Sequence, residues 1–500
     1  MDNIKKLRLN SVFSLINQVV LIISGLVLPK FYLEVYGSEI NGLQASIAQF
    51  LSIINFLELG VGAVIQSSLY KPLVTGEKKK INQIASAATR FFKTLACLLL
   101  IYVVILCIIF PNLTTHALSD TSTRFLILAM SISLFSQFYF GIVDQIILNA
   151  DQKYYIQYLG SIITVILNTI ISVILIYLNC SIVIVKFISG CVFLLRPIYL
   201  HFYVKNNYSI KYKDPFDKNT IPQKWNGVAQ HVAYVVLEST DIIVLTIFST
   251  LKNVSIYSIY NLVISGIHLL ISSLAGGLQA FFGHMIAQNK IEELNKHFSK
   301  IEWQMHTIST LLFALTASLI LPFVRIYTSG IDDANYYSPY FAVTLIIAKL
   351  IFCIRIPYTA VVLSAGHFKQ TQNSAIMEAL LNVVLSILLV KRFGLIGVAA
   401  GTLIAVAYRT IYFIFYLSKN ILNRNIKIFL KQIAVDIISF IVMLSVGLLI
   451  KVYPENMFAW LRLAVFEGII FLMLTTAIQF IFNRDQMIDF FSSFLKRRLS

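Results

Sequence analysis

LRPIYLHFYVKNN, residues 195–207, returns about 213 residues later as YRTIYFIFYLSKN, residues 408–420. Arg196 matches Arg409, Tyr199 matches Tyr412, Phe202 matches Phe415 and Tyr203 matches Tyr416. An arginine near the end of an apolar run is costly, so its return in the same setting points to a duplicated unit. The match extends upstream. QIILNADQKYYIQYLGSIITVILNTIISVILI (Gln145 to Ile176) is similar to AVVLSAGHFKQTQNSAIMEALLNVVLSILLV (Ala360 to Val390), pairing Leu148 with Leu363, Ala150 with Ala365, Gln157 with Gln372, Asn168 with Asn382 and Ser172 with Ser386. More weakly, LGVGAVIQ (Leu59 to Gln66) echoes AGGLQAFF (Ala275 to Phe282). Spans 4–6 thus recur as spans 10–12. Because six is even, the two units share one orientation, an architecture of secondary transporters with the substrate path between the halves.

The composition sets this repeat in a bilayer. Hydrophobic residues make up 58% of the chain, charged residues 13%, and the mean hydropathy is +0.80, values foreign to a soluble domain. Apolar runs long enough to cross ~30 Å of hydrocarbon recur throughout, and we count fourteen of them between residues 9 and 482. The fold class is therefore an all-α polytopic membrane protein: two pseudo-symmetric six-helix lobes and two extra helices. The first run, 9–31, is too long for a signal-peptide core and reads as an uncleaved span. The second and eighth runs are counted as single spans at 42–70 and 254–287. Expected boundaries are an N-lobe at 1–210, an inter-lobe loop at 211–225, a C-lobe at 226–420, spans 13 and 14 at 421–483, and a basic tail at 484–500.

The net charge of +17 is a topology signal. With the N-terminus inside, roughly 27 of the Lys and Arg residues fall on inner segments and about 8 on outer ones, the positive-inside pattern. Lys78 to Lys80, the Lys205–Lys224 loop, the Lys419–Lys431 loop and Lys496 to Arg498 are all inner. Both termini are then cytoplasmic, and the basic segments meet anionic membrane lipids. A nucleic-acid partner is not expected.

The chain resembles the polysaccharide or O-antigen flippases (Wzx type) of the multidrug/oligosaccharidyl-lipid/polysaccharide (MOP) exporter superfamily over nearly its whole length. The resemblance rests on YGSEINGLQASIAQFLSIINFLELGVGAVIQSSLYKPL (Tyr36 to Leu73), on STDIIVL and YSIYN in spans 7 and 8, and on RIPYTAVVLSAGHFKQTQNSAIMEALLN and FGLIGVAAGTL in spans 10–12. It implies two lobes in a V around a central cavity, with spans 13 and 14 added to a twelve-helix core. It also implies transfer of an undecaprenyl-pyrophosphate-linked oligosaccharide from the inner to the outer leaflet of a bacterial cytoplasmic membrane. Further partners implied are the polysaccharide polymerase and chain-length machinery.

Ionisable groups within spans are functional candidates on their own account. Lys349 and Arg355 lie in span 10 and offer a cationic site for pyrophosphate, which guanidinium binds bidentately. Glu378 in span 11 is a candidate structural partner for Arg355, and Pro357 frees the Cys353 carbonyl beside it. Arg196 and Arg409 are expected to line the inner mouth, or else to snorkel to headgroups. Glu238 and Asp241, three apart in span 7, are candidates for ion coupling or for partnering the span 10 cations; Glu58 in span 2 is the next coupling candidate. Asp144 and Asp436 read as interfacial.

No HExxH, GxSxG or GK[ST] phosphate loop is present, so neither a metal, a cofactor nor an enzyme activity is expected. Without a nucleotide site, transport has to draw on an ion or substrate gradient. The five cysteines are widely spaced and form neither a zinc motif nor a disulfide framework. Two neighbouring readings are a MATE-like cation-coupled multidrug antiporter, which favours an acidic cavity, and a lipid II flippase. A membrane glycan polymerase or ligase is disfavoured by the short outer loops.

Overall fold

The structure, a computed structural model, describes residues 3–58, 61–114, 117–208, 210, 212, 228–275, 277–450 and 452–498. Most of the 211–225 loop lies outside the described residues. Twelve helical segments among those described are long and apolar enough to span a bilayer. Two of them, of 49 and 53 residues, far exceed the ~20 residues one crossing requires. Each is broken by a glycine that leaves helical geometry, Gly37 at φ 80° and Gly394 at φ 54°. Counting each half, the chain makes fourteen passes in an all-α membrane protein. At Gly394 the chain folds back as a hairpin. A Cβ on Gly397 would lie 2.4 Å from the Leu389 carbonyl oxygen, and one on Gly401 would lie 2.6 Å from Ser386 Oγ. Only hydrogen at those positions lets the two arms close.

The chain divides into two compact units, residues 1–235 with 245–255, and residues 236–244 with 256–500. The first holds α1 (Asn3–Ser52), a 3-10 turn at Ile53–Glu58, α2 (Val61–Thr75), α3 (Lys78–Leu113) and α4 (Asp120–Ser136). A π-helical turn at Gln137–Gly141 leads into α5 (Ile142–Ala150), followed by α6 (Tyr154–Tyr177), α7 (Ile182–Phe193) and α8 (Leu195–Tyr208). Both units draw on α9 (Val228–Phe248) and α10 (Leu251–Leu274). The second unit continues through α11 (Leu278–Ala287), α12 (Ile291–Tyr327), α13 (Pro339–Ile354), α14 (Ile356–Ser364) and α15 (Phe368–Asn420). It closes with α16 (Ile426–Leu449), α17 (Met457–Phe482) and α18 (Arg484–Arg498).

Two expected spans are interrupted. The run 42–70 changes to 3-10 bonding at Ile53–Glu58 before α2 begins, and 254–287 breaks between α10 and α11. Hydropathy misses such breaks because the apolar run continues through them. Proline places another: Pro357 has no amide hydrogen for the Cys353 carbonyl, and the helix is interrupted at Arg355 before α14. Ser119, Ser181 and Asn456 cap α4, α7 and α17 by accepting from the amides of Ser122, Ile184 and Ala459, satisfying donors that a helix start leaves open.

The exterior is apolar, unlike that of a soluble bundle, and the interior mixes an apolar core with buried polar residues. Ile108, Leu178, Leu388 and Leu449 lie outside, while Asn168, Ser172, Asn382 and Ser386 are buried. The Asn and Ser positions matched by sequence are thus interior on α6 and on α15. Asn382 donates to Thr402 Oγ1 at 2.8 Å and so joins the two arms of α15, whereas Ser172 donates to Asn168 within α6 at 3.4 Å.

Candidate functional site

The second unit gathers most of the intramembrane charge. Around the break at Arg355, α13 supplies Lys349, α9 supplies Glu238 and Asp241, and α15 supplies Glu378 and Arg409. Lys349 Nζ lies 2.9 and 3.2 Å from the two carboxylate oxygens of Glu238. The lysine is buried, whereas 32% of the Glu238 side chain is exposed, so this pair opens on its acidic side.

Asp241 is buried in a separate polar group. Tyr257 donates to one oxygen at 2.8 Å and Thr402 to the other at 2.7 Å, while Asn382 donates to the Thr402 hydroxyl. The Asn382 carbonyl oxygen is buried and has no hydrogen-bond partner. Glu238 and Asp241 therefore do not act as one acid pair. Three residues apart on α9, they diverge, one toward α13 and the other toward α10 and α15.

Arg355, Glu378 and Arg409 form a buried triad. Arg355 Nη1 lies 2.5 Å from Glu378 Oε1, and Arg409 Nη1 lies 2.7 Å from Glu378 Oε2. The three residues are at most 6% exposed. Each guanidinium also lies over an aromatic ring, Phe352 for Arg355 and Phe413 for Arg409. Two cations share one carboxylate, and Arg409 Nε has no partner.

Arg196 and Arg409, matched in sequence, have unlike surroundings. Arg409 is consumed by the triad and does not face an open mouth. Arg196 is half-buried in the first unit and lines an open cleft with Ser133, Gln137, Gly141, Gln145 and Pro197. No described residue forms an ion pair or hydrogen bond with its side chain. Glu58 ends the 3-10 turn, also without a basic partner among the described residues. Its carboxylate packs on Gly62, where a Cβ would come within 2.6 Å of Oε1.

Sequence reading missed a second buried network in this unit. Asp436 and Tyr358 bracket His306 at 2.5 and 2.8 Å, Tyr358 donates to Glu302 at 2.9 Å, and Arg424 closes the chain on Glu302 at 2.6 Å. Asp436 is accordingly buried rather than interfacial. Asp144 is buried too, against Tyr212 and His201. The available signal was Glu302 and His306 four residues apart on one helix, which places both on one face. Glu467 on α17 was also passed over; it is 2% exposed and one of its oxygens has no partner. Among the described residues no group of three or more His, Cys, Asp or Glu comes together to hold a metal.

No protein-family model and no curated protein sequence matches this chain. Solved structures do. The lipid II flippase MurJ in an inward closed conformation superimposes with a TM-score of 0.69 at 17% identity, covering 95% of this chain and 99% of that one. An inward-facing MATE-family multidrug resistance transporter of the MOP superfamily gives 0.60 at 14% identity over 82% of this chain and 94% of its own. A MOP superfamily transporter from Pyrococcus furiosus, with a binding pocket of reversed polarity, gives 0.54 at 14% identity over 84% and 96%. The chain thus has the MOP-superfamily transporter fold, and these neighbours are transporters, not enzymes.

Proposed function

We propose that this protein is a flippase carrying undecaprenyl-pyrophosphate-linked oligosaccharide units from the inner to the outer leaflet of a bacterial cytoplasmic membrane, for surface polysaccharide synthesis. The observation that carries the reading is the fold shared with a lipid II flippase over 95% of the chain. Helices α16 and α17 occupy 24 and 26 of the 500 residues, too many for both to lie outside that likeness. The MATE-family transporter and the Pyrococcus furiosus MOP transporter match only 82% and 84% of this chain. Arg196, a basic residue within a span that no described acid neutralises, also suits an anionic cargo better than a cationic drug. In this reading both termini are cytoplasmic, and polymerase and chain-length proteins take over the cargo outside. Lipid II itself is the second reading, supported by the same structural neighbour.

Coupling to a cation gradient supplies the energy, and Asp241 is the carboxylate we assign to it. Tyr257, Thr402 and Asn382 surround it with hydroxyl and amide groups able to hold either a proton or a sodium ion. Proteoliposomes containing the full chain provide the test. Labelled undecaprenyl-pyrophosphate-linked oligosaccharide should move in response to an imposed gradient, while lipid II and a cationic dye should not. Movement of lipid II alone would install the second reading, and dye movement alone would install the antiporter. Asp241→Asn should keep protein level and cargo binding while abolishing the response to the gradient. A normal response to proton and sodium gradients in that variant transfers the coupling role to Glu58.

A further inference from the structure

The two matched arginines differ in what neutralises them. Asn168 pairs with Asn382 and Ser172 with Ser386, all four buried. That register puts Thr164 at the place of Glu378, and burial agrees, at 3% and 0% exposed. In the second unit Glu378 supplies a carboxylate to Arg409. In the first unit Thr164 cannot, and its hydroxyl is spent on the carbonyls of Gly160 and Ser161 at 2.8 and 3.0 Å. The Arg196 stem packs over Gly160. Its charge meets no acid among the described residues.

What Arg196 does meet is a cleft of about 270 Å³. Gln137 and Gln145, which also line it, have side chains without a hydrogen bond to any described residue. They stand eight apart, nearly one residue beyond two α-helical turns. The π-turn at Gln137–Gly141 absorbs the extra residue and returns both amides to one face, and such turns are frequent at functional sites. Snorkelling to headgroups explains a lone arginine, but it requires neither the unpaired amides nor the widened turn.

We infer that this cleft binds a phosphate or pyrophosphate group, gripped by the Arg196 guanidinium and flanked by the amides of Gln137 and Gln145. The open site in the first unit is the one that an internal carboxylate fills in the second. Guanidinium donors match phosphate oxygens in pairs. The guanidinium and the two amides suit the charged group, and the open side of the cleft leaves the rest of a cargo outside it. This deepens the flippase reading, since it places the head of a lipid-linked cargo, but the binding is measured separately from transport.

The test uses the full chain in phosphatidylcholine nanodiscs with fluorescent farnesyl pyrophosphate as probe. Saturable binding is expected, weakened roughly thirtyfold by Arg196→Gln, the loss of one charged hydrogen-bonding partner. Thr164→Glu should weaken it as well, by giving Arg196 the internal acid it lacks. If that variant does not accumulate, Gln137→Leu replaces it, with a smaller loss expected. Competition by inorganic pyrophosphate supports the site and assigns it to a free anion. Competition by phosphatidylglycerol supports it and assigns a bilayer phospholipid. Selectivity for the probe over both supports it and assigns a polyprenyl pyrophosphate. Equal binding by wild type and Arg196→Gln overturns the inference. Oligosaccharide transport that persists with Arg196-independent binding removes the site and leaves the flippase reading. Arg196-dependent binding without transport does the reverse.

Discussion

Asp151, in the turn between α5 and α6, shows how a single residue ties several helix ends together. It bonds to Lys6 at 3.0 Å, to Lys153 at 2.8 Å and to Tyr208, tying α1, α6 and α8 together. Burial works against its charge, but hydrogen bonds from Lys153, Tyr208 and Lys6 prevail and hold the carboxyl below the usual carboxylate range. A depressed pKa contributes stability above the unfolded value of about 3.9 and loses it as pH falls through the folded one. Asp151→Asn should therefore melt below wild type at pH 7 in detergent, and the gap should close as pH falls below about 4. A gap independent of pH would mean that the carboxylate charge contributes nothing. The triad makes a harsher prediction. Glu378→Ala strands two buried guanidinium groups, a loss of about 3–5 kcal/mol, and should prevent accumulation in the membrane. Arg355→Ala should do likewise if Arg355 is structural. Normal accumulation of Arg355→Ala with transport abolished would return it to the cargo site. The Arg355–Glu378 contact was legible because both residues sit at similar depth in consecutive spans. Arg409 was not, since its place near a span end says nothing about which way the side chain turns. Nor were Tyr257 and Thr402 legible as partners of Asp241, because hydroxyls are common in spans and carry no sequence mark.

Among the elements, α16 and α17 are the pair beyond the twelve-helix core expected from sequence, yet buried polar contacts fasten them to α12. His306 bonds to Asp436 on α16, Trp303 donates to Gln479 on α17 at 2.8 Å, and Trp460 donates to the Leu319 carbonyl at 3.1 Å. A chain ending after residue 425 would leave Trp303 and one side of His306 without partners, besides exposing apolar surface. Such a chain should fail to accumulate, so the two helices are not a removable addition. Gln479→Leu removes the acceptor of the buried Trp303 N–H and of the part-buried Asn483 amide and should cost about 1–3 kcal/mol, seen as a lower melting temperature with the chain still present. Accumulation of the truncated chain at wild-type level would show that the twelve-helix part stands alone. The lengths and positions of these helices were legible from hydropathy. Their attachment was not, because it depends on which face each helix turns to its neighbour.

For the whole molecule, the side that each loop occupies is directly open to experiment. Fourteen passes put both ends of the chain on one side, and in the orientation we propose from the Lys and Arg distribution that side is the cytoplasm. In that orientation the basic starts of α3 at Lys78 to Lys80 and of α18 at Arg484 fall on the cytoplasmic side, and Asp120 and Asp332 fall outside. Single cysteines are interpretable only in a chain whose five native cysteines are replaced. Cys353 is buried and Cys97 and Cys191 are exposed, so the native set would give a background from the spans. In that chain, cysteines at Lys79 or in the 211–225 loop should resist a membrane-impermeant maleimide in intact cells and react after permeabilisation. Cysteines at Asp120 and Asp332 should react in both. Gly37 makes this more than a check on loops. If α1 were one tilted helix instead of two passes, every loop from Lys78 onward would change sides and the labelling pattern would invert from that point. Inversion would also place Asp151 and its lysine partners on the outer face, and would move Arg196 from the leaflet that receives the cargo to the one that releases it.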